Sequence, residues 1–162
     1  MHDFSRRLQR LTDDGLDFVI VGGYAALTHG SSLITRGLDI CAVLTIENVE
    51  KLRRALSEWS PKHRMTTQRL SFLHHPVPGT QLEKLYLETD VGVIDILSSI
   101  LGVGDFERLR AKAEKLEVEN RTYRVISLDD LIAAKLAVGR EKDLLAVKEL
   151  RATAAKRQPQ EG

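Results

Sequence analysis

Two aspartates stand where apolar residues are expected. Asp39 interrupts the run Leu38-Asp-Ile-Cys-Ala-Val-Leu44, and Asp95 interrupts Val91-Gly-Val-Ile-Asp-Ile-Leu97. Burying an unpaired carboxylate is costly, so an acid inside an apolar strand calls for a partner. If the two strands are neighbours, both carboxylates can converge on Mg²⁺, which takes oxygen ligands and keeps waters and substrate phosphates. Two such ions can clamp the attacking and leaving oxygens of a phosphoryl transfer. The alternative is an ion pair with a nearby arginine such as Arg36, and the sequence leaves both open.

About 16 residues before Asp39 lies Gly22-Gly23, between the apolar run Phe18-Val-Ile-Val21 and a short helical stretch from Tyr24 to His29. Glycines there permit positive φ and close approach of backbone to a ligand, and a helix start offers unpaired N–H groups to phosphate. A Gly-Gly pair alone is more often only a turn; its position ahead of the strand acid gives it weight. His29 ends this stretch, where it would serve phosphate or simply favour a helix C-terminus. Lys135, Arg140 and Lys142 cluster near a helix break and could meet a triphosphate or an RNA backbone, or form a solvated helix end. His74 and His75 sit in a Pro-containing loop and read as exposed. Cys41 shares a strand face with Asp39 but reads as a small core residue. Tyr24, Phe18 and Trp59 read as core.

The elements that must hold these groups follow from periodicity. Phe4, Leu8 and Leu11 mark an amphipathic helix over 3–14 that Gly15 ends. Thr45 is an N-cap for a helix over 46–58, with Val49, Leu52 and Leu56 as its apolar stripe. Residues 62–80 read as loops around a short strand near Leu70–Leu73. Strands follow over 82–89 and 91–97, a helix over 106–116 and a strand over 122–126. Ser127 caps a helix that Gly139 breaks, and a closing helix spans 143–155. These elements make one α/β (α+β) domain over residues 1–155, with a mixed, twisted sheet flanked by helices and closed by C-terminal helices. Residues 156–162 read as a polar tail.

Composition excludes several classes. The chain of 162 residues is 43% hydrophobic and carries a formal net charge of +1, so bulk charge selects no polyanionic partner. A single cysteine excludes an internal disulfide framework and a cysteine-built zinc site. No apolar run approaches the roughly 20 residues that span a bilayer. The N-terminus has no signal-peptide core, so a cytoplasmic protein without a membrane partner is expected.

Taken in order, Gly22-Gly23-Tyr24-Ala25, His29-Gly30, Thr35, Asp39, Gly92-Val-Ile-Asp95-Ile96, Asp130-Leu-Ile-Ala-Ala-Lys135 and Arg140-Glu-Lys142-Asp143 resemble the motifs of polymerase-β-like nucleotidyltransferases. The resemblance is to the bacterial abortive-infection and toxin–antitoxin branch and its uncharacterised relatives, over roughly residues 16–150. It implies the nucleotidyltransferase fold and transfer of a nucleoside monophosphate from a triphosphate, with Mg²⁺ or Mn²⁺, to a hydroxyl of RNA, protein or a small molecule. A cognate antitoxin is a further partner it implies. Asp39 would match the second metal acid, and Asp95 a third acid that helps activate the attacking hydroxyl. Gly22 and Gly23 would face phosphate, with His29, Thr35, Lys135 and Arg140 as further nucleotide-binding positions. Two positions depart from the pattern. Leu33 replaces the arginine of Arg-x-Thr, and Gly37 replaces the first acid of Asp-x-Asp. Glu88 and Asp90 are candidates to replace that acid in space. A degenerate module that binds nucleotide, RNA or a protein without catalysis is the alternative reading.

Overall fold

The structure, a computed structural model, describes residues 2–157. Helix α1 (His2–Asp13) leads to β1 (Val19–Val21), which runs directly into α2 (Gly22–Thr28). Strand β2 (Leu38–Cys41) is followed by α3 (Ile46–Leu56), whose N-cap Thr45 accepts a bond from the Asn48 N–H. After a short 3₁₀ turn come β3 (Lys62–His63), β4 (Lys84–Thr89) and β5 (Gly92–Leu97). A small ribbon of β6 (Ser99–Ile100) and β7 (Gly104–Asp105) precedes α4 (Phe106–Lys112). The chain closes with β8 (Glu114–Val118), β9 (Arg121–Val125), α5 (Leu128–Val138) and α6 (Glu141–Arg157).

Seven strands form one mixed sheet in the order β3-β4-β5-β2-β1-β9-β8. The pairs β2–β5 and β1–β9 are parallel and the others antiparallel. Strand alternation then sorts the centre of the sheet. Leu38, Ile40, Ile94, Ile96, Leu85 and Leu87 share one face and are all buried. Val19, Val21, Asp39, Cys41, Asp95 and Leu97 share the other. The apolar face joins a core that includes Leu8 and Leu11 of α1 and Leu52 and Leu56 of α3, and these two helices pack on each other.

Three expectations change. The apolar residues Phe106, Leu109 and Leu116 suggest a helix to 116, yet α4 stops at Lys112 and Glu114–Val118 pairs with β9. Glu119 and Asn120, both at positive φ, turn that hairpin, and the tight turn wins over the helical spacing. Near Leu70–Leu73 only Ser71 bridges to Lys62, so the edge strand is β3 instead. Helix α6 continues through Lys156 and Arg157, two residues into the stretch read as a tail; residues 158–162 lie outside the described residues. Among the described residues no helix is long and apolar enough to cross a membrane.

Candidate nucleotide site

Parallel pairing of β2 with β5 sets Asp39 directly beside Asp95 in register. Two like charges so placed oppose each other's ionisation. Burial is the larger effect on Asp39; with Asp95 adjacent it lifts that carboxyl to about 6, against the pull of the Gly23 N–H, Arg64 and Lys135. Asp95 is also raised by burial, with Arg64 and the Leu87 backbone N–H pulling it down.

The twin-glycine turn at the end of β1 touches Asp39. Gly22 adopts φ +67°, and a Cβ there would stand 2.8 Å from the Asp39 Cγ. Only glycine combines that φ with that approach. A Cβ on Gly23 would fall 2.7 Å from the Thr35 Oγ1, while the Gly23 N–H donates to Asp39. The amide that the sequence offers to phosphate is thus engaged by the carboxylate.

Two cavities flank Asp39 and share Gly22, Lys135, Arg140 and Asp143. One, of about 270 Å³, adds Gly23, Thr35, Leu33, Ile34 and Lys142, so three cations share it with the aliphatic side chains of the 33–34 segment. The other, of about 260 Å³, adds Leu97, Ile100, Ile126, Leu131 and Val138, so it is an apolar chamber under α5. Lys135 reaches them from the last turn of α5. Gly139, at φ +71°, ends that helix in a left-handed cap and lets Arg140 follow at once. The Arg140 Nε donates to Asp143 Oδ2 at 2.7 Å, which holds the buried Asp143 below the usual carboxylate range.

Several predicted site residues lie together and others do not. Asp39, Gly22, Gly23, Thr35, Lys135 and Arg140 line the cavities. Asp95 and His29 do not: Asp95 lies beside Asp39 on the sheet, and the His29 Nε2 bonds the Ile126 carbonyl at 2.8 Å and ties α2 to the end of β9. His75 offers its backbone carbonyl to His63. Cys41 is fully buried, which pushes its thiol up to about 12. The arginine paired with Asp95 is Arg64, not Arg36: its Nε donates to Oδ1 at 3.2 Å and its Nη2 to Oδ2. Sequence reasoning missed Arg64 because it leaves β3 in the stretch 62–80, where periodicity is weakest. Asp143 was also missed as a site residue; its spacing from Arg140 was the available signal.

Neither Glu88 nor Asp90 restores the carboxylate absent at Gly37. Glu88 pairs with Arg69, and Asp90 belongs to a separate hollow with Arg6 and Arg36. Among the described residues no three His, Cys, Asp or Glu side chains converge as a metal cluster. A resident pair of divalent ions therefore does not fit this donor set. One ion carried in on a triphosphate does fit, since Mg²⁺ binds through one or two carboxylates plus phosphates, and Asp39 faces the cavities.

No protein-family model and no curated protein sequence matches the chain. Solved structures do match. The chain is similar to the lincosamide antibiotic adenylyltransferase LnuA in its lincomycin-bound form, at 13% identity and TM-score 0.63, covering 94% of this chain and 97% of that one. A Thermotoga maritima protein provisionally named a nucleotidyltransferase aligns at 19% identity and TM-score 0.56, over 97% of this chain and 96% of its own. The antibiotic-resistance factor ANT(2'')-Ia aligns at 12% identity and TM-score 0.53, over 99% and 95%. The chain has the nucleotidyltransferase fold.

Proposed function

We propose that this protein transfers a nucleoside monophosphate from a nucleoside triphosphate to a hydroxyl group. The observation that carries the reading is the register pairing of Asp39 with Asp95 beside the Gly22 turn, with Lys135 and Arg140 across the cavities. The acceptor oxygen forms a bond to the α-phosphorus, the α–β phosphoanhydride breaks, and pyrophosphate leaves. Lys135 and Arg140 offset the phosphate charge. Asp95 receives the hydroxyl proton; a carboxylate has about four lone-pair sites, so Arg64 leaves acceptor capacity, and burial keeps its pKa up. The triphosphate arrives with its Mg²⁺ or Mn²⁺, which Asp39 would hold and which would neutralise charge on the phosphates.

Similarity to LnuA, whose structure holds lincomycin, and to ANT(2'')-Ia, also solved with adenylyl-2''-tobramycin, supports a small hydroxyl-bearing acceptor ahead of RNA, a protein side chain or an antitoxin. The test incubates the protein with each labelled triphosphate and a panel of these acceptors. Transfer is expected, and Asp95→Asn is expected to abolish it. Absence of transfer to every acceptor overturns the reading.

Gly37 and the Arg64–Asp95 pair favour a second reading, nucleotide binding without transfer. Gly37→Asp separates the two. A Cβ at this position meets Val93 at ordinary distances, Cγ1 at 3.5 Å and Cβ at 3.7 Å, so the change is sterically open. Under the first reading the added acid raises a measurable rate; under the second, binding persists and transfer stays absent.

A further inference from the structure

The carboxylate pair already has a fixed cation of its own. Arg64 meets both oxygens of Asp95, and its backbone N–H donates to the Tyr86 carbonyl at 3.0 Å. Its guanidinium lies over the Tyr86 ring, 5.4 Å from the centroid, and Nη1 approaches Met65 Sδ at 3.3 Å. The side chain is still 28% exposed. A guanidinium has five N–H donors, so the two given to Asp95 leave others for a phosphate oxygen. The charge of Arg64 reaches Asp39 as well.

The local charge balance differs from that of a metal centre. Arg64 and Lys135 offset the two negative charges of Asp39 and Asp95, Arg140 is paired with Asp143, and Lys142 adds a further positive charge at the cavity beside Asp39. A divalent ion gains little from a cluster without net negative charge, whereas a triphosphate avoids the repulsion that two bare carboxylates would impose. A third carboxylate would tip the balance back, and position 37 has none although its Cβ space is open.

We infer that Arg64 stands in for a metal ion at the Asp39–Asp95 pair, so that this site takes a nucleoside triphosphate without needing a divalent cation to bind it. The inference rests on the nucleotide-binding reading above. The experiment is calorimetric titration of the full chain with each of the four triphosphates, in EDTA and in Mg²⁺, and Mn²⁺ titration followed by electron paramagnetic resonance. For wild type the best triphosphate should bind with affinities within about threefold in the two buffers. Arg64→Ala should lose at least about tenfold in EDTA and recover part of it with Mn²⁺, and Arg64→Lys, which keeps the charge, should lose less. Gly37→Asp should gain Mn²⁺ binding that wild type lacks without nucleotide. Binding by wild type only with a divalent ion overturns the inference and leaves the nucleotide reading standing. So does Arg64→Ala matching wild type in EDTA. If no triphosphate binds in either buffer, both fall. Should Arg64→Ala fail to fold, wild type in the two buffers and Arg64→Lys still decide.

Discussion

At the scale of single residues, Asp39 costs the fold stability because it is held where its charge is poorly solvated. Its pKa of about 6 lies above the 3.8 of an ordinary aspartate. Between these values the folded state holds more protons than the unfolded one, so stability falls as pH rises through the window, and the full cost is present above it. Two pH units correspond to roughly 3 kcal/mol before solvent screening. Asp39→Asn should therefore melt higher than wild type at pH 7–8, and the gap should close toward pH 4. Thermal melts across pH 4–8 check this; a variant that melts lower at neutral pH refutes it. Gly22 is the opposite case. Gly22→Ala forces a side chain into a left-handed conformation, costing about 1–2 kcal/mol, and drives its Cβ against the Asp39 carboxylate. A lowered urea midpoint with weakened triphosphate binding is expected.

Elements explain which parts of this architecture the chain discloses. Short apolar runs such as Leu38–Cys41 and Gly92–Leu97 are strands that carry their acids as exceptions, so Asp39 and Asp95 stand out in the sequence, whereas their adjacency rests on the parallel pairing of β2 with β5. Residues 62–80 could not be read in advance, because irregular backbone bonds and side chain-to-backbone bonds order them instead of periodicity. The buried Arg53 of α3 donates from Nε to the Phe72 carbonyl at 3.0 Å and from Nη2 to the Pro76 carbonyl at 2.7 Å, and its guanidinium lies over the Phe72 ring. No local pattern announces that a helix cation will fasten a loop 19 to 23 residues away. Arg7 is similar: it lies buried and donates to the carbonyls of Arg36 and Val93. Arg53→Met should keep the helix and strand its acceptors, at roughly 1–3 kcal/mol for each carbonyl left buried and unpaired. Hydrogen exchange should quicken over 64–80 first, including Arg64 at the site. Uniform protection there would show that the loop is held by other contacts.

For the molecule as a whole, the C-terminal helix reaches back to the segment that carries Thr35. Glu149 of α6 accepts bonds from the Ser32 N–H and Oγ, both at 2.7 Å, which hold its carboxyl below the usual range. Gly30 presses against Thr153, where a Cβ would come within 2.5 Å of the methyl carbon. The segment 31–36 has no regular structure of its own, yet it forms one wall of the cation-lined cavity through Leu33, Ile34 and Thr35. Its N-terminal half is thus tied to α6, more than a hundred residues away, while Arg7 holds the Arg36 carbonyl at its other end. Because these bonds are exposed, their loss should cost the global fold little. Glu149→Gln keeps the shape and removes the charge-assisted part of both bonds. The expected result is triphosphate affinity reduced severalfold with a melting temperature within a few degrees of wild type, whereas Glu149→Ala should weaken binding further. Equal loss of melting temperature and affinity would mean that α6 supports the entire domain, and unchanged affinity would mean that the wall is placed by β2 and the Arg7–Arg36 bond without help from α6.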